Sequence, residues 1–312
     1  MNVNEFDLIE RLTAGLPTNP SLVTGPGDDC AVLDLGVPDR LVLFKTDAVV
    51  EGVHFTAETP PEKIGHKALA RCLSDIAAMA GTPNSVLVTL GLPADFSAER
   101  VERIYAGLNA LARRYDVAVA GGETTRNPGG FLIAIAALGT VPRPGCVRRS
   151  GARPGDAIFV TGELGGSLAG HHLDFEPRLA EATWLRENFP PHAMIDLSDG
   201  LAGDLRHLLK ASGVGAELHS RSLPIRRAAR VAARETPGAK PALLAALTDG
   251  EDFELLFTVA APAAVPLLDG WKAAFPDVRL SCIGKVTAGD KIQLRGPHGP
   301  QPFPKHGYVH FA

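Results

Sequence analysis

Short apolar runs alternate with stretches of helical periodicity along this chain, and that alternation limits the folds it can adopt. Apolar runs at 41–44, 85–90, 117–120 and 131–138 are predicted strands. Between them, apolar residues recur at helical spacing over 64–77 and over 101–111, with Ser97 as a predicted N-cap of the second helix. Strands that alternate with helices predict an α/β or α+β fold.

A chain of 312 residues is long enough for two domains. Two clusters of proline and glycine at 142–145 and 151–155 indicate a linker, and a second strand-helix series begins at 156–160. Later strands are predicted at 194–195, 253–259 and 278–283. We therefore predict an N-terminal domain over 1–148 and a C-terminal domain over 149–312.

Composition and charge exclude several classes of protein. A 45% hydrophobic and 21% charged composition is typical of a globular protein rather than a disordered one. The net charge of −4 shows no basic surplus for nucleic acid or for an anionic membrane. The longest apolar run, 131–138, is too short to span a bilayer. Residues 1–7 lack a secretory signal pattern, and the four cysteines form no CxxC pair, so we expect a cytoplasmic enzyme.

Carboxylates recur next to the apolar runs, most often at their ends. They stand at Asp28, Asp29, Asp47, Asp75, Glu123, Asp196, Asp199, Asp249, Glu251 and Asp252. Any one of these motifs could equally be an ordinary turn or helix cap. Strand ends line the ligand crevice of open α/β sheets, where so many carboxylates would repel one another without cations. Oxygen ligands without a Cys or His cluster favour Mg²⁺.

Several Mg²⁺ ions suggest a phosphate-bearing ligand, yet the common phosphate-binding motifs are absent. The chain has no G-x-x-x-x-G-K-[ST] loop, no G-x-G-x-x-G turn after a strand and no His-Arg-Asp catalytic loop. The glycine-rich segment 162–167 could bind an anion, but alone it is as well explained as a strand-helix turn. Nucleotide chemistry here requires another scaffold.

The segments taken together resemble thiamine-monophosphate kinases, a family within the superfamily of aminoimidazole ribonucleotide synthetase. The resemblance rests on GDDCAVL at 27–33, TDAVVEGVHF at 46–55, KALARCLSDIAAMAGTP at 67–83, GGETTR at 121–126, RSGARPGD at 149–156, IDLSDGLAGDL at 195–205, GEDFELLFTV at 250–259 and GYVHF at 307–311. These motifs follow the family order over nearly the whole chain.

The resemblance implies a two-domain PurM-like fold with a cleft between an N-terminal sheet-and-helix domain and a C-terminal α/β domain. It implies a homodimer in which the N-terminal sheets form a barrel-like interface. It further implies transfer of the ATP γ-phosphoryl group to thiamine phosphate with the help of several Mg²⁺ ions.

The resemblance also implies roles for individual residues. The metal positions are Asp29, Thr46, Asp47, Asp75, Glu123, Asp196 and Asp199, of which Asp47, Asp75 and Asp196 are predicted to be catalytic. The nucleotide positions are Tyr105, Gly122, Glu123, Arg149 and Ser198. The positions for thiamine phosphate are His54, Glu251 and Tyr308. By residue type alone, His54 could equally be structural, Arg149 a solvated loop residue and Tyr308 a tail residue packed on the core.

Three departures from the family pattern bear on the site. Glu123 stands where the family usually has Asp, and Lys45 stands where it often has Ser or Thr. The segment between Gly170 and Asp196 is short, and we expect it to lack a helical stretch. These departures affect the number of metal ions and the local wall of the cleft.

Two other functions remain open at this point. One is a different ATP-using enzyme of the same superfamily, which activates an amide or a selenium compound. A selenophosphate synthetase would need a reactive N-terminal cysteine, whereas the first cysteine here is Cys30. The other is a non-catalytic nucleotide-binding regulator. For a kinase, the chemistry predicts a site rich in Asp and poor in Lys and Arg, because the acids would hold Mg²⁺ and Mg²⁺ would contact the phosphates.

Overall fold

The computed structural model describes residues 5–309 and builds them around two mixed β-sheets. Residues 1–4 lie outside this range, as do His310 and Phe311 of the GYVHF motif. The helices are α1 (Glu5–Thr13), α2 (Pro61–Ala78), α3 (Ala98–Arg114), α4 (His171–Asp174), α5 (Leu179–Asn188), α6 (Leu201–Ser212), α7 (Arg227–Glu235), α8 (Ala242–Thr248) and α9 (Ala264–Ala274).

The strands follow the same alternation along the chain. They are β1 (Leu22–Thr24), β2 (Ala31–Leu33), β3 (Arg40–Val50), β4 (Thr82–Leu92), β5 (Ala118–Arg126), β6 (Leu132–Pro142), β7 (Ala157–Thr161), β8 (Ala193–Asp196), β9 (Gly215–His219), β10 (Leu255–Val259), β11 (Leu280–Thr287), β12 (Ile292–Gly296) and β13 (Gly299–Gln301). Every strand predicted from an apolar run is present, which confirms the α/β character of the chain.

The N-terminal sheet has the order β1-β2-β3-β6-β4-β5 and is antiparallel except for the β4–β5 pair. Helices α2 and α3 cover one face of it. A Cβ atom on Gly65 would lie 1.8 Å from Ile104 O, and one on Gly107 would lie 1.9 Å from Glu62 O. Glycine at both positions therefore lets the two helix backbones come into direct contact. Ser97 caps α3 as predicted, because its hydroxyl accepts a hydrogen bond from Arg100 N.

The C-terminal sheet has the order β13-β12-β9-β11-β7-β10-β8. All five residues of β7 and all five of β10 are buried, which explains why these strands read as continuous apolar runs. On one face of the C-terminal sheet, Leu201 and Leu205 of α6 pack with alternate residues of β7. The opposite face of this sheet joins the core of the N-terminal sheet. The same core therefore runs from one sheet to the other.

Two expectations about local structure were wrong. The segment between Gly170 and Asp196 does carry helices, α4 and α5, because Leu179, Ala182 and Leu185 recur on one helical face and are buried in the core. Strand β5 runs on through Glu123 to Arg126 rather than ending at residue 120, because its pairing with β4 continues beyond the apolar run. Among residues 5–309, no helix is long and apolar enough to cross a membrane.

Candidate active site

Three buried aspartates from distant parts of the chain meet where the two sheets approach each other. Asp29, Asp75 and Asp196 each offer a carboxylate oxygen, and these oxygens all lie within 4.8 Å of one another. Asp29 precedes β2, Asp75 lies on α2 and Asp196 ends β8. Their exposed fractions are 2%, 6% and 3%. We refer to these three residues as the aspartate triad.

Hydrogen bonds to side chains orient the triad. Ser74 Oγ donates to Asp196 Oδ2 over 2.6 Å, and Lys45 Nζ donates to Asp75 Oδ1 over 2.7 Å. The Arg149 guanidinium donates twice to Asp29 Oδ1, over 2.6 Å and 3.2 Å. Predicting a site poor in Lys and Arg was therefore wrong. The carboxylates are too deeply buried to remain without nearby positive charge, and basic side chains supply part of it.

The electrostatics of the triad suit a divalent cation. Burial raises the pKa of Asp75, in spite of the nearby Lys45, and raises the pKa of Asp196 to about 6. Asp29 Oδ2 is buried and has no hydrogen-bond partner in the structure. Oxygen donors, crowded negative charge and this unpartnered atom fit a hard cation such as Mg²⁺, which would stabilise the ionised carboxylates.

Asp47 lies next to the triad but is held differently. It projects from β3, and Arg71 on α2 binds both of its carboxylate oxygens, over 2.9 Å and 3.2 Å. Burial alone would raise the pKa of Asp47, but Arg71 and Lys45 outweigh it and lower that pKa. Asp47 is therefore charged and already paired when no metal is bound.

A cleft beside the triad contains all three residues predicted to bind thiamine phosphate. Its lining includes His54, Glu251 and Tyr308, together with Ser198 and Asp199. The space between the protein atoms, including the open mouth, is about 520 Å³. The tertiary structure thus brings the predicted substrate residues together from both halves of the chain.

Backbone contacts hold the C-terminal wall of this cleft. Tyr308 N donates to Asp199 O over 2.7 Å, and Glu251 N donates to Ser198 O over 2.7 Å. Glu251 has a φ of +63°, a left-handed conformation that is uncommon outside glycine. A Cβ on Gly307 would lie 2.0 Å from Asp199 O, so glycine allows the tail to lie directly on the turn after Asp196.

The residues predicted to bind nucleotide are more dispersed. Arg149 contacts the triad and Ser198 lies in the cleft, whereas Tyr105 is half-buried on α3. Gly122 is exposed on β5, and a Cβ there would lie 1.8 Å from Val88 O. Pairing with β4 is therefore sufficient to require glycine at this position.

Two predicted metal ligands lie away from the triad. Glu123 lies on the same face of the N-terminal sheet as Ala48 and Thr46. The cross-strand pairs that place it there are Glu123–Thr89, Thr89–Ala134 and Ala134–Ala48. Successive strand residues alternate between faces, so Asp47 is on the opposite face. Glu123 and Thr46 are both exposed. Metal binding by Thr46, Glu123 and Asp199 remains a prediction.

Sequence reasoning missed two basic residues of the site, Lys67 and Arg71. Lys67 Nζ is fully buried and contacts Glu251 Oε2 and His54 O, at 2.7 Å and 2.6 Å. A signal was available, because Lys67, Arg71 and Asp75 recur every four residues and so share one face of α2.

The structure also bears on the selenium alternative. Cys30 is 2% exposed, and burial raises the pKa of its thiol well above the usual range. A buried, protonated thiol is a poor nucleophile. Cys30 therefore lacks the properties required of a reactive cysteine.

Known proteins are similar to this chain over almost its whole length. Residues 27–141 match the family AIR synthase related protein, N-terminal domain, and residues 172–296 match AIR synthase related protein, C-terminal domain. The chain is 43% identical to thiamine-monophosphate kinase of Rhodopirellula baltica over 86% of this chain and 84% of that protein. It is 35% identical to thiamine-monophosphate kinase of Salmonella typhimurium over 100% and 99% of the two chains.

Solved structures show the same architecture. AaThiL complexed with AMPPCP and TMP superposes with a TM-score of 0.82 and 30% identity, over 99% of this chain and 97% of that chain. Thiamine-monophosphate kinase from Stenotrophomonas maltophilia gives a TM-score of 0.73 and 33% identity. The two-domain fold implied by the sequence resemblance is therefore confirmed.

Proposed function

The chain belongs to the thiamine-monophosphate kinase family, and we propose that it transfers the γ-phosphoryl group of ATP to thiamine phosphate, yielding thiamine diphosphate and ADP. The observation that carries this proposal is the position of the aspartate triad beside a cleft that holds His54, Glu251 and Tyr308. The complex of AaThiL with the ATP analogue AMPPCP and with TMP supports the same pair of ligands.

The acceptor in this reaction would be a phosphate monoester. Its second pKa is about 6, so it is largely dianionic at neutral pH and needs no general base. The main obstacle is to bring this anion in line with the anionic γ-phosphate. Positioning and charge neutralisation would therefore account for most of the catalysis.

Mg²⁺ would be held by Asp29, Asp75 and Asp196, with Asp47 next to them. When bound, Mg²⁺ would neutralise phosphate charge and orient the reacting groups. The protein's own part is to keep these carboxylates in place through Ser74, Lys45 and Arg149. Arg149 could also add a bidentate contact to a nucleotide phosphate.

Three side chains of the cleft would contact thiamine phosphate. Glu251 is placed to contact the aminopyrimidine ring of the thiamine moiety, and Tyr308 to stack on a substrate ring. His54 would contribute a hydrogen bond. Gly122, Tyr105 and Ser198 are proposed to contact ATP.

One assay tests the proposal. Purified protein with ATP, Mg²⁺ and thiamine phosphate should produce thiamine diphosphate and ADP in equal amounts, measured by chromatography. Thiamine in place of thiamine phosphate should give no product, because its hydroxyl group would need a general base. ATP hydrolysis without thiamine diphosphate would instead favour another enzyme of the superfamily. Nucleotide binding without turnover would favour a regulator.

We further propose that the protein is a cytoplasmic homodimer. The N-terminal sheet face opposite α2 exposes Phe44, Leu87 and Leu138, at 46%, 50% and 39%. Phe44 pairs with Leu138 across the sheet, and Leu87 pairs with Ala136 on the same strand as Leu138. A contiguous apolar patch of this kind is typical of an interface between copies of a chain.

A further inference from the structure

Arg71 connects the aspartate triad region to the substrate cleft. Its Nε and Nη2 atoms bind Asp47, and its Nη1 lies 3.4 Å from Glu251 Oε1. The guanidinium carbon lies 5.8 Å from the centre of the Phe253 ring. The same side chain also lines the cleft that contains His54, Glu251 and Tyr308.

The charge of the cleft makes Arg71 distinctive. Among the described residues that line it, Arg71 carries the only permanent positive charge, whereas Asp199 and Glu251 are acidic. A dianionic acceptor would meet repulsion from Asp199 and, although Lys67 partly offsets its charge, from Glu251. A cation within the cleft would offset that repulsion, and the family resemblance assigned no basic residue to the substrate positions.

We propose that Arg71 binds the phosphate group of the acceptor, a role that rests on the proposed function. A guanidinium group binds a carboxylate and a phosphate with the same bidentate geometry, so Arg71 can exchange Asp47 for the phosphate monoester by a rotation of its side chain. Asp47 would then be free for Mg²⁺, for which it is a predicted ligand. In this way Arg71 distinguishes thiamine phosphate from thiamine.

The alternative role is purely structural. Arg71 contacts Asp47 on β3 and Glu251 before β10, and its side chain is only 13% exposed. A residue that only joins the two halves of the chain would affect every ligand of the cleft alike. Selectivity for the phosphate group therefore separates the two roles.

The test is calorimetric binding of thiamine phosphate and of thiamine, with Mg²⁺ and without ATP. We expect Arg71→Met to weaken thiamine phosphate by about 10- to 100-fold, the usual effect of a lost charged hydrogen bond. Thiamine affinity should change by less than about twofold, since thiamine has no phosphate for Arg71 to bind. Arg71→Lys keeps the charge beside Asp47 and loses the bidentate geometry, so it should fold and show an intermediate loss.

Arg103→Met on α3 is the matched control, because Arg103 forms a two-bond ion pair with exposed Glu62 away from the cleft. Equal losses for both ligands, or no loss in either Arg71 variant, would overturn the assignment. Wild-type protein that binds thiamine as tightly as thiamine phosphate would also overturn the assignment. In that case the turnover assay would still test the proposed function. If wild-type protein neither binds nor converts thiamine phosphate, the proposed function itself fails.

Discussion

Lys67 Nζ donates a hydrogen bond to Glu251 Oε2 over 2.7 Å, although the two residues are 184 positions apart. Lys67 is fully buried on α2, and Glu251 lines the cleft that contains His54 and Tyr308. The pair therefore links the helix that carries Asp75 to a residue predicted to contact the substrate.

Loss of this pair should reduce stability. Lys67→Met leaves the Glu251 carboxylate without its shortest partner, so we expect a loss of roughly 3 kcal/mol in the free energy of unfolding. Lys63→Met is the control on the same helix, because Lys63 pairs with Asp174 at the surface and should cost less than about 1 kcal/mol. Urea unfolding measures both, and equal effects would contradict the special role of Lys67.

The same lysine predicts a pH dependence. Burial lowers the pKa of Lys67 to about 8, although Glu251 opposes that shift. An unfolded lysine titrates at about 10.4, so between these two pH values the unfolded chain holds more protons. The contribution of Lys67 to stability should therefore rise from pH 8 to about pH 10 and stay constant below pH 8. A stability difference between wild type and Lys67→Met that stays flat over this window would refute it.

If Asp47 binds metal, as we propose, it should be required for turnover. Asp47→Asn keeps the size of the side chain and removes its charge, and we expect turnover to fall roughly 100-fold or more while the fold survives. Turnover measured against Mg²⁺ concentration, together with circular dichroism, checks both parts. Near-native turnover at modest Mg²⁺ would refute a metal-binding role.

Glu251 and Tyr308 should act on the thiamine half of the substrate. We expect Glu251→Ala and Tyr308→Ala to raise the KM for thiamine phosphate by about tenfold, in line with the loss of one hydrogen bond or one ring contact. The KM for ATP should change much less. Equal increases for both substrates, or an increase for ATP alone, would contradict the assignment.

Substitutions of Glu123 test whether the face of the N-terminal sheet opposite Asp47 takes part in metal binding. If its carboxylate holds a metal or a metal-bound water, Glu123→Asp should keep substantial activity, whereas Glu123→Gln should lose much of it and require more Mg²⁺. Glu99→Gln, on α3, is a control for surface charge. Wild-type behaviour of Glu123→Gln would mean that this residue is only part of strand β5.

The apolar sheet face should hold the dimer together. Phe44→Asp places a charge in the proposed interface, so we expect the variant to be a monomer at micromolar concentration, where the wild type should be a dimer. Analytical ultracentrifugation measures the change, with Val265→Asp at an exposed position of α9 as the control. A wild-type monomer, or a variant that remains dimeric, would refute the interface.

The sequence by itself determined the fold class, the central strands of both sheets and the family. Apolar periodicity located α2, α3 and the strands β3–β8, β10 and β11, because burial of one helical stripe or of a whole strand leaves a local pattern. The motifs around Asp29, Asp75 and Asp196 were also visible, since each has a short apolar neighbour in the chain. Helix α5 was missed because its pattern is weak and its burial depends on distant core residues.

Only the tertiary structure decided which charges meet. Lys45 with Asp75, Arg71 with Asp47 and Lys67 with Glu251 are pairs between different elements, and no local pattern specifies them. Strand β5 was extended by its pairing with β4, which placed Glu123 on the face opposite Asp47. Ion pairs and strand register depend on distances across the fold, whereas periodicity depends on neighbours in the chain, so the sequence specified the elements and the packing specified the site.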